Sequence, residues 1–374
     1  MFCRSWMVVV HYRNFDVLRL IAAASVVFSH SFLIATGSEA TEPLHFTGQV
    51  TGVYGVFVFF ILSGFLVTES ARRSSSLCEF ARKRFLRIYP ALVVSVLVVT
   101  YLMAPLFDRN GAWAFATDSY VFERVVDLLT FRATNFHFDN VVFYPAEPGA
   151  EWLPGLVNGV LWTIRLEVTG YCLIALMAAI GLFAAQRQLV LVLVLVVLTA
   201  VAIIAKPMST QFLSELFFVL PSFLCGIFMN WLVQHHRPNG WAALACAVGI
   251  VLLAPSGLLP ALFPFLVAYP VIWLGAATFI PLPRFYEGTD ISYGVYLYGW
   301  PVTQLIRHFV GPDLNGYQMA AIALPATMLV ALASWLLVEK PALRFKTRRP
   351  APQPATVDAP APEPPPIGQS ATNG

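Results

Sequence analysis

The amino-acid sequence predicts an all-α fold, a polytopic transmembrane helical bundle of about ten spans with both termini in the cytoplasm. Composition is the first observation behind this prediction: 58% of the 374 residues are hydrophobic and 11% are charged. Soluble domains are about 25% charged, so a soluble enzyme, a disordered chain and a nucleic-acid-binding protein are excluded. The other two observations are long apolar runs and basic residues that collect in alternate loops.

Apolar runs of about 20 residues, the length that crosses the hydrocarbon core of a bilayer, recur along most of the chain. We predict spans at 15–36, 50–70, 89–107, 157–183, 188–205, 212–233, 240–255, 260–280, 290–310 and 317–338. The weakest of them is 240–255, which is short for a full crossing.

Lysine and arginine in the loops orient the bundle, because basic residues collect on the cytoplasmic side. The loop after the second span is strongly basic (RRSSSLCEFARKRFLR), whereas loop 37–49 has no lysine or arginine and the long loop 108–156 is mainly acidic. We therefore expect 37–49 and 108–156 outside the cytoplasm and 71–88 and 345–374 inside it. Lys206, alone on the outer side, is the exception.

The remaining segments predict a simple domain organisation. Residues 1–346 form one transmembrane domain, and the Pro/Ala-rich residues 347–374 form a cytoplasmic tail that lacks the apolar side chains needed for a core. The N-terminus lacks the apolar core and cleavage site of a signal peptide. The five cysteines show no spacing typical of a metal site or a disulfide framework, so we expect neither.

The first predicted span carries Asp16, Arg19 and His30. Arg19 and His30 are eleven positions apart, which on an α-helix is three turns plus about 20°, so both project from one face about 16 Å apart along the axis. Ionisable groups at membrane depth usually face a cavity or a partner. One interpretation is an anion contact near the inner surface and a proton-exchanging group deeper in the membrane. The alternative is that Arg19 pairs with Asp16 and His30 only bonds a neighbouring helix.

The segment LCEFARKRFLRIYP is predicted to be a helix that ends before Pro90. Arg84 and Arg87 fall on the face that also carries Leu77, Phe80, Ala81 and Ile88, while Glu79, Arg82 and Lys83 point away. Surface arginines belong on the polar face of a membrane helix. Two arginines on the apolar face favour an anion bound between this helix and the bundle, although positive-inside topology accounts for the basic residues around them.

The fourth and ninth predicted spans hold further polar groups. Arg165 and Glu167 are two residues apart and face different ways, so each needs its own partner. In the ninth span, Tyr293, Tyr296 and Trp300 form a stripe at helical spacing. Such a stripe is more often packing than a site.

Taken in order, these segments resemble the bacterial acyltransferase family 3, which are integral-membrane O-acyltransferases. The matching motifs are Asp16-x-x-Arg19 with the following His30, GVFVFFILSGFLVT (55–68), Arg84-x-x-Arg87, LWTIRLEVTGY with Glu167, ISYGVYLYGWPV and VEKPALRF. The resemblance covers about residues 14–346. Many members have a histidine before the aromatic-proline pair of the ninth-span motif, and this chain has Gly299 there.

The resemblance implies an enzyme that takes an acyl group, usually acetyl, from cytoplasmic acyl-CoA and delivers it to a hydroxyl of a glycan or lipid-linked sugar outside the cytoplasm. It implies Arg19, Arg84 and Arg87 as CoA contacts, His30 as the catalytic group and Glu167 as a supporting acidic residue. It also implies a multi-pass protein of the bacterial inner membrane, in contact with membrane lipids, with acetyl-CoA or another acyl-CoA as donor and no permanently bound cofactor.

Two other functions use the same residues. A transporter of organic anions or acylated sugars would use the intramembrane arginines, histidine and glutamate for substrate or proton coupling. A structural membrane protein would leave these groups without a purpose. Within the enzyme hypothesis, His30 acts either as a general base or as a nucleophile that forms an acyl-histidine.

Overall fold

The computed structural model describes residues 14–134, 136–205, 210–277 and 288–345, and most of them are helical. The basic N-terminal segment, Lys206 and the tail 347–374 lie outside the described residues. The predicted division into a transmembrane domain and a tail therefore stays a prediction.

The described secondary structure is a series of helices with one pair of short strands in the longest loop. The helices are α1 (Phe15–Thr36), α2 (Thr51–Arg72), α3 (Leu77–Val98), α4 (Ala112–Thr117), α5 (Ser119–Leu129), α6 (Trp162–Ala179), α7 (Gln188–Ala205), α8 (Gln211–His235), α9 (Gly240–Leu253), α10 (Leu259–Ala276), α11 (Ser292–Val310), α12 (Gly316–Ser334) and α13 (Lys340–Arg344). The strands β1 (Phe136–His137) and β2 (Leu156–Asn158) pair antiparallel.

Each predicted span coincides with a helix in the described part of the chain, which confirms the all-α prediction. Eight of the described helical segments are long and apolar enough to cross a membrane. Helix α9 has only 14 residues, and the polar side chains of α11 lower its mean hydropathy. The span count of ten and the cytoplasmic termini stay predictions.

Helix α1 lies at the centre of the bundle, packed against α2, α11 and α12, while α2 also packs against α8 and α10. Glycines allow the closest of these approaches. A methyl group on Gly64 of α2 would overlap the carbonyl oxygen of Phe223, and one on Gly226 of α8 would overlap that of Ile61. Such small residues let membrane helices pack backbone to backbone. Packing therefore explains Gly64, the second glycine of the GVFVFFILSGFLVT motif.

Helix α3 does not end before Pro90, as the sequence predicted, but runs through it to Val98 and continues in a π-helical turn, Val99–Met103. Breaking the helix inside a bilayer would expose further backbone groups to lipid, so a proline is tolerated where neighbouring helices support it. The hydroxyl of Tyr293 on α11 donates a hydrogen bond to the carbonyl of Ile88, 3.2 Å away, beside the proline. That contact supports the backbone where the prediction placed the end of the helix.

The two ends of the bundle differ in character. The basic end carries the start of α1, the α2–α3 turn with Arg72, Arg73 and Arg82, and the start of α11. The loop end carries residues 37–50 and the long loop 108–161, which pack together where Gly37 approaches Glu147 and Ala150. Loops 37–49 and 108–156, predicted to share one side of the membrane, therefore lie at the same end of the bundle.

Candidate active site

A charged cavity of about 230 Å³ opens at the basic end, between α1, α2, α3, α6 and α11. Three basic and three acidic side chains line it, namely Arg19, Arg84, Arg87, Asp16, Glu167 and Asp290. Four of the five site residues predicted from the sequence thus meet in one place, although they lie up to 148 positions apart in the chain. The fifth, His30, is not among the residues that line this cavity.

Asp290 joins two of the cavity's arginines. Its carboxylate lies 2.7 Å from a guanidinium nitrogen of Arg19 and 2.5 Å from one of Arg87. The other carboxylate oxygen accepts hydrogen bonds from the backbone N–H and the hydroxyl of Ser292, at the first turn of α11. The predicted pair between Arg19 and Asp16 is also present, at 3.6 Å. Asp290 therefore fixes α1, α3 and α11 relative to one another.

A second carboxylate, Glu339, lies behind Arg87 at 4.0 Å and is only 2% exposed. It lies at the end of a π-helical turn, Trp335–Glu339, that leads into α13. Pro341 follows within the first two positions of α13, and because proline has no N–H to donate, the hydrogen-bond pattern changes there. Arg87 is thus held between two acidic groups.

Arg84 differs from its two neighbours because it forms no ion pair with a carboxylate in the described part of the chain. Its guanidinium donates a hydrogen bond to the hydroxyl of Ser70 (3.2 Å) and lies 5.8 Å from the centre of the Tyr171 ring. Its buried Nε has no hydrogen-bond partner among the described residues. A buried cation with spare donors is the feature that would attract an anion into the cavity.

The helical-wheel prediction for α3 is confirmed for its central residues and wrong at its start. Arg84 and Arg87 face the bundle, and Arg82 is exposed. Leu77 (48% exposed) and Ala81 were predicted on the buried face, but both are exposed. The helix starts at the edge of the bundle, where the helices of the described residues leave these two side chains exposed.

Glu167 reaches the cavity from α6. It accepts hydrogen bonds from Ser63 (3.2 Å) and from the hydroxyl of Tyr171 (2.5 Å). Arg165 points elsewhere, as predicted, and pairs with Glu215 of α8 at 3.3 Å. Tyr171 therefore connects Glu167 to the face on which Arg84 lies.

His30 lies farther along α1, towards the loop end. Its ring packs edge-on against Trp300 of α11, with 4.7 Å between ring centres. Its Nδ1 is buried and has no hydrogen-bond partner among the described residues. The structure therefore places His30 apart from the charged cavity but on the same helix as Arg19, at the predicted separation of about 16 Å.

A small cavity of about 20 Å³ adjoins the charged cavity on the side towards the loop end. Phe59, Ser63, Glu167 and Tyr293 line both cavities, and Tyr296 lines only the small one. From the basic end towards the loop end, successive turns of α11 thus border the charged cavity, the small cavity and His30. Tyr293 borders both cavities, Tyr296 the small one, and Trp300, one turn farther, contacts His30.

The aromatic stripe on α11 is packing, as the sequence indicated, but it also borders the cavities. The hydroxyl of Tyr296 pairs with that of Thr163 at 2.6 Å. Trp300 donates its indole N–H to the carbonyl of Leu156, at 2.8 Å. The long loop thereby fixes the ring against which His30 packs.

Beyond Trp300, α11 holds the long loop over the loop end of the bundle. Gln304 donates hydrogen bonds to the carbonyls of Leu153 (3.0 Å) and Leu156 (2.9 Å). Arg307, which is 3% exposed, pairs with Glu147 at 2.8 Å. Burial raises the pKa of the nearby Tyr144, so its phenol stays protonated at neutral pH. These contacts hold the long loop against the part of α11 beyond Trp300.

Gly299 occupies the position of the histidine that many family members have in the ninth-span motif. A methyl group there would overlap the Val27 side chain, because α1 and α11 pack closely at this level. A histidine at this position would therefore require Val27 to change its side-chain conformation or α1 to shift, and Gly299 itself supplies no catalytic side chain.

Several polar residues of the site were missed by the sequence analysis, among them Asp290, Glu339, Tyr171 and Ser63. A signal existed for two of them: Asp290 directly precedes the ISYGVYLYGWPV motif and Glu339 belongs to VEKPALRF. Because each lies in or beside a motif, these two acidic residues could have been predicted as partners for Arg19 and Arg87. Ser63 and Tyr171 lie in apolar runs and give no such signal.

Comparison with known proteins gives one family and several relatives. A family model described as "Acyltransferase domain" matches residues 12–339. The chain is 30% identical to Nodulation protein 10 of Rhizobium leguminosarum bv. viciae, over 90% of this chain and 95% of that protein. It is 27% identical to an O-acetyl transferase of Shigella phage Sf6, over 89% of this chain and 96% of that protein.

A third relative is described as a putative membrane-bound transacylase, BcsY, of Komagataeibacter xylinus. The chain is 24% identical to it, over 90% of this chain and 84% of that protein. No solved structure matches the chain.

Proposed function

The chain belongs to the acyltransferase family whose model matches residues 12–339 and is a membrane O-acyltransferase of the O-acetyltransferase type, and from this premise we propose its donor, its acceptor and the direction of transfer. Acyl-CoA, with acetyl preferred, binds at the basic end from the cytoplasm. The acyl group passes to a hydroxyl of a glycan or lipid-linked sugar at the loop end, outside the cytoplasm of a bacterial inner membrane. The observation that carries the proposal is the charged cavity at one end of α1 and α11, with His30 nearer the other.

The donor is proposed to bind through the arginines of the charged cavity. CoA carries several phosphate charges, and arginine's planar fork suits phosphate. Arg84 has no carboxylate partner in the described part of the chain, so it is the strongest candidate contact. Arg19 and Arg87 share Asp290, yet each guanidinium has five N–H donors, which leaves donors for a phosphate. Lysine and arginine around the basic end indicate that this end faces the cytoplasm.

The pantetheine arm of CoA would extend from the charged cavity along α11 towards His30. The small cavity lies on this route, between the charged cavity and the level of Trp300. CoA would remain at the basic end while its thioester reaches the deeper part of the bundle. No movement of the whole donor across the membrane is then required.

At His30, the neutral imidazole takes the proton from the acceptor hydroxyl as the hydroxyl oxygen attacks the thioester carbonyl. The new carbon–oxygen bond forms, the carbon–sulfur bond breaks, and the proton on His30 passes to the departing CoA sulfur. In the alternative, His30 attacks the thioester first and the acyl-histidine is then attacked by the acceptor. Both routes need an imidazole whose ring is held in place, which its packing against Trp300 provides.

Glu167 is proposed to act as a supporting residue. Its hydrogen bonds with Ser63 and Tyr171 connect the walls of the charged cavity, and Tyr171 presents its ring to Arg84. Glu167 also borders the small cavity, where the acyl end of the donor would lie. Its negative charge would orient the hydroxyl groups of Ser63 and Tyr171, which lie along the proposed route of the CoA arm.

The acceptor is proposed to approach from the loop end, where loop 108–161 contacts Trp300, the neighbour of His30. The family resemblance favours a sugar hydroxyl of a glycan or of a lipid-linked sugar. A lipid-linked acceptor would remain in the membrane while its sugar reaches the loop, so membrane lipids would surround both partners.

Acyl transfer by the purified protein tests the proposal against the transporter alternative. Protein in detergent is given acetyl-CoA labelled in its acetyl group together with a glycolipid extract of bacterial membranes. We expect release of the free CoA thiol and appearance of the label as a base-labile ester on sugar. A transporter performs no chemistry, so binding of acetyl-CoA with neither thiol release nor esterification would contradict the enzyme and favour the transporter.

A further inference from the structure

The small cavity has a more apolar wall than the charged cavity beside it. Val56 and Phe60 of α2 and Ile164 of α6 form its hydrocarbon side, and these three side chains are at most 8% exposed. The charged side chain among the described residues of this wall is Glu167, so an anionic group would lose its water there and meet hydrocarbon and a like charge. The wall therefore favours an uncharged apolar group.

The volume of the small cavity limits that group to a small one. At about 20 Å³, it is only slightly larger than the roughly 10–15 Å³ that one water-sized group requires. A methyl group fits this space. A longer chain would have to displace Val56, Phe60 or Ile164, whose buried side chains belong to the closely packed core.

The small cavity also lies at the depth where the donor's reactive end would arrive. It shares Phe59, Ser63, Glu167 and Tyr293 with the charged cavity, so an extended ligand anchored in the charged cavity would reach it along these side chains. Tyr296, on its wall, is four residues before Trp300, a rise of about 6 Å along the helix axis. A group in the small cavity would therefore lie about one turn below His30.

We propose that the small cavity holds the acyl group of the donor and restricts the enzyme to acetyl, with Val56 and Ile164 as the residues that set the length limit. The inference rests on the proposed function and adds its acyl specificity. Propionyl and butyryl groups are excluded by size. A succinyl group is excluded by its carboxylate, which would be buried against hydrocarbon without a cation in the wall.

Binding of a series of donors by calorimetry tests this inference without requiring the acceptor. The ligands are free CoA, acetyl-CoA, butyryl-CoA and succinyl-CoA, and the protein is the full chain in detergent. We expect the unmodified protein to bind acetyl-CoA at least about tenfold more tightly than butyryl-CoA or succinyl-CoA, because one methylene in a tight pocket changes affinity by about tenfold or more.

Val56→Ala widens the small cavity and should reduce the preference for acetyl-CoA over butyryl-CoA by about tenfold, while the weak binding of succinyl-CoA stays unchanged. Val58→Ala is the matched control, since Val58 lies on the same helix but packs in the other core cluster, with Phe57 and Ile61. Ile164→Val removes one methylene from the opposite helix and tests the same effect if Val56→Ala lowers the yield of folded protein.

Two results would overturn the inference alone: equal binding of all three acyl-CoA donors by the unmodified protein, or the same acyl preference in Val56→Ala, Ile164→Val and Val58→Ala. In both cases the donors still bind, so the proposed function stands. If neither CoA nor acetyl-CoA binds, the proposed function fails and the acyl pocket fails with it.

Discussion

At the scale of single residues, the side chains proposed to hold the donor lie apart from the one proposed to perform the chemistry. Arg19, Arg84, Arg87 and Glu167 line the charged cavity, and His30 packs against Trp300 nearer the loop end. Substitutions in the two groups should therefore affect different steps of the reaction.

His30→Gln keeps a polar side chain but removes the group that takes the proton. We expect the rate of acyl transfer to fall by about 10²–10⁴, with acetyl-CoA binding unchanged because His30 does not line the charged cavity. Turnover and calorimetric binding are measured on the same purified protein. A near-normal rate would show that His30 is not the base and would require another catalytic group.

Arg84→Ala should raise the KM for acetyl-CoA about tenfold or more, since a hydrogen bond to a charged group contributes about 1.5–3 kcal/mol. The fold should survive, because Arg84 has no buried carboxylate partner in the described part of the chain. Arg82→Ala is the control on the exposed side of the same helix. Equal effects of both substitutions would mean that general surface charge attracts the donor.

Arg87→Ala should act on stability before it acts on the donor. Arg87 lies between Asp290 and Glu339, and removing one partner of a buried ion pair typically costs about 3–5 kcal/mol. Thermal unfolding in detergent should show a clear loss, whereas Arg73→Ala, which breaks an exposed pair with Glu69, should change little. A stable Arg87→Ala protein with weakened CoA binding would show that Arg87 serves mainly the ligand.

The sequence predicted the three arginines of the site and Glu167, but it missed Asp290 and Glu339 and therefore how the arginines are paired. Helical spacing was enough to place Arg19 and His30 on one helix and to turn Arg84 and Arg87 inwards. The partners Asp290 and Glu339 come from α11 and from the end of the α12 segment, more than 200 positions from Arg87. Pairing at that separation depends on how the helices pack, which local patterns do not contain.

At the scale of helices and strands, apolar length predicted where the long helices lie, and local signals were misleading where tertiary packing overrides them. Pro90 indicates a helix end in an isolated chain, yet α3 continues because the bundle supports its backbone. The predicted span 157–183 begins in strand β2, since the apolar run LVNGV does not distinguish a buried strand from a helix. Helix α6 starts only at Trp162.

Gly226 tests the packing of α2 against α8. Gly226→Ala places a methyl group against the backbone of α2, so we expect destabilisation of about 1–3 kcal/mol or more, or failure to fold. Gly249→Ala on α9 is the matched control, because the nearest neighbouring atom would be 3.6 Å away and alanine favours the helix. Thermal unfolding of the two variants in detergent gives the comparison, and equal stability would contradict the close approach of α2 and α8.

At the scale of the whole molecule, α1 and α11 extend from the basic end to the loop end and carry groups proposed for both halves of the reaction. Arg19 near the start of α1 and Asp290 just before α11 lie at the charged cavity, and later turns of the two helices hold His30 and Trp300. The long loop closes the other end through Gln304 and Arg307. This arrangement explains how a donor that stays on one side could supply an acceptor on the other.

Orientation must be established before transfer across the membrane can be measured. In a chain without its native cysteines, His45→Cys at the loop end and Arg82→Cys at the basic end are both exposed positions. An impermeant thiol reagent added to intact cells should label only the first. Inverted vesicles from the same cells then present the basic end to the medium.

The central claim is that acyl-CoA at the basic end supplies an acceptor at the loop end, and the most direct measurement is acyl transfer in these inverted vesicles. Acetyl-CoA labelled in its acetyl group, which does not cross the membrane, is added to the medium. We predict that sugar esters carrying the label accumulate inside the vesicles, and that vesicles with His30→Gln form none. Labelled sugar only on the outer surface of the vesicles, or transfer that occurs only when acetyl-CoA is enclosed with the acceptor, would contradict the account.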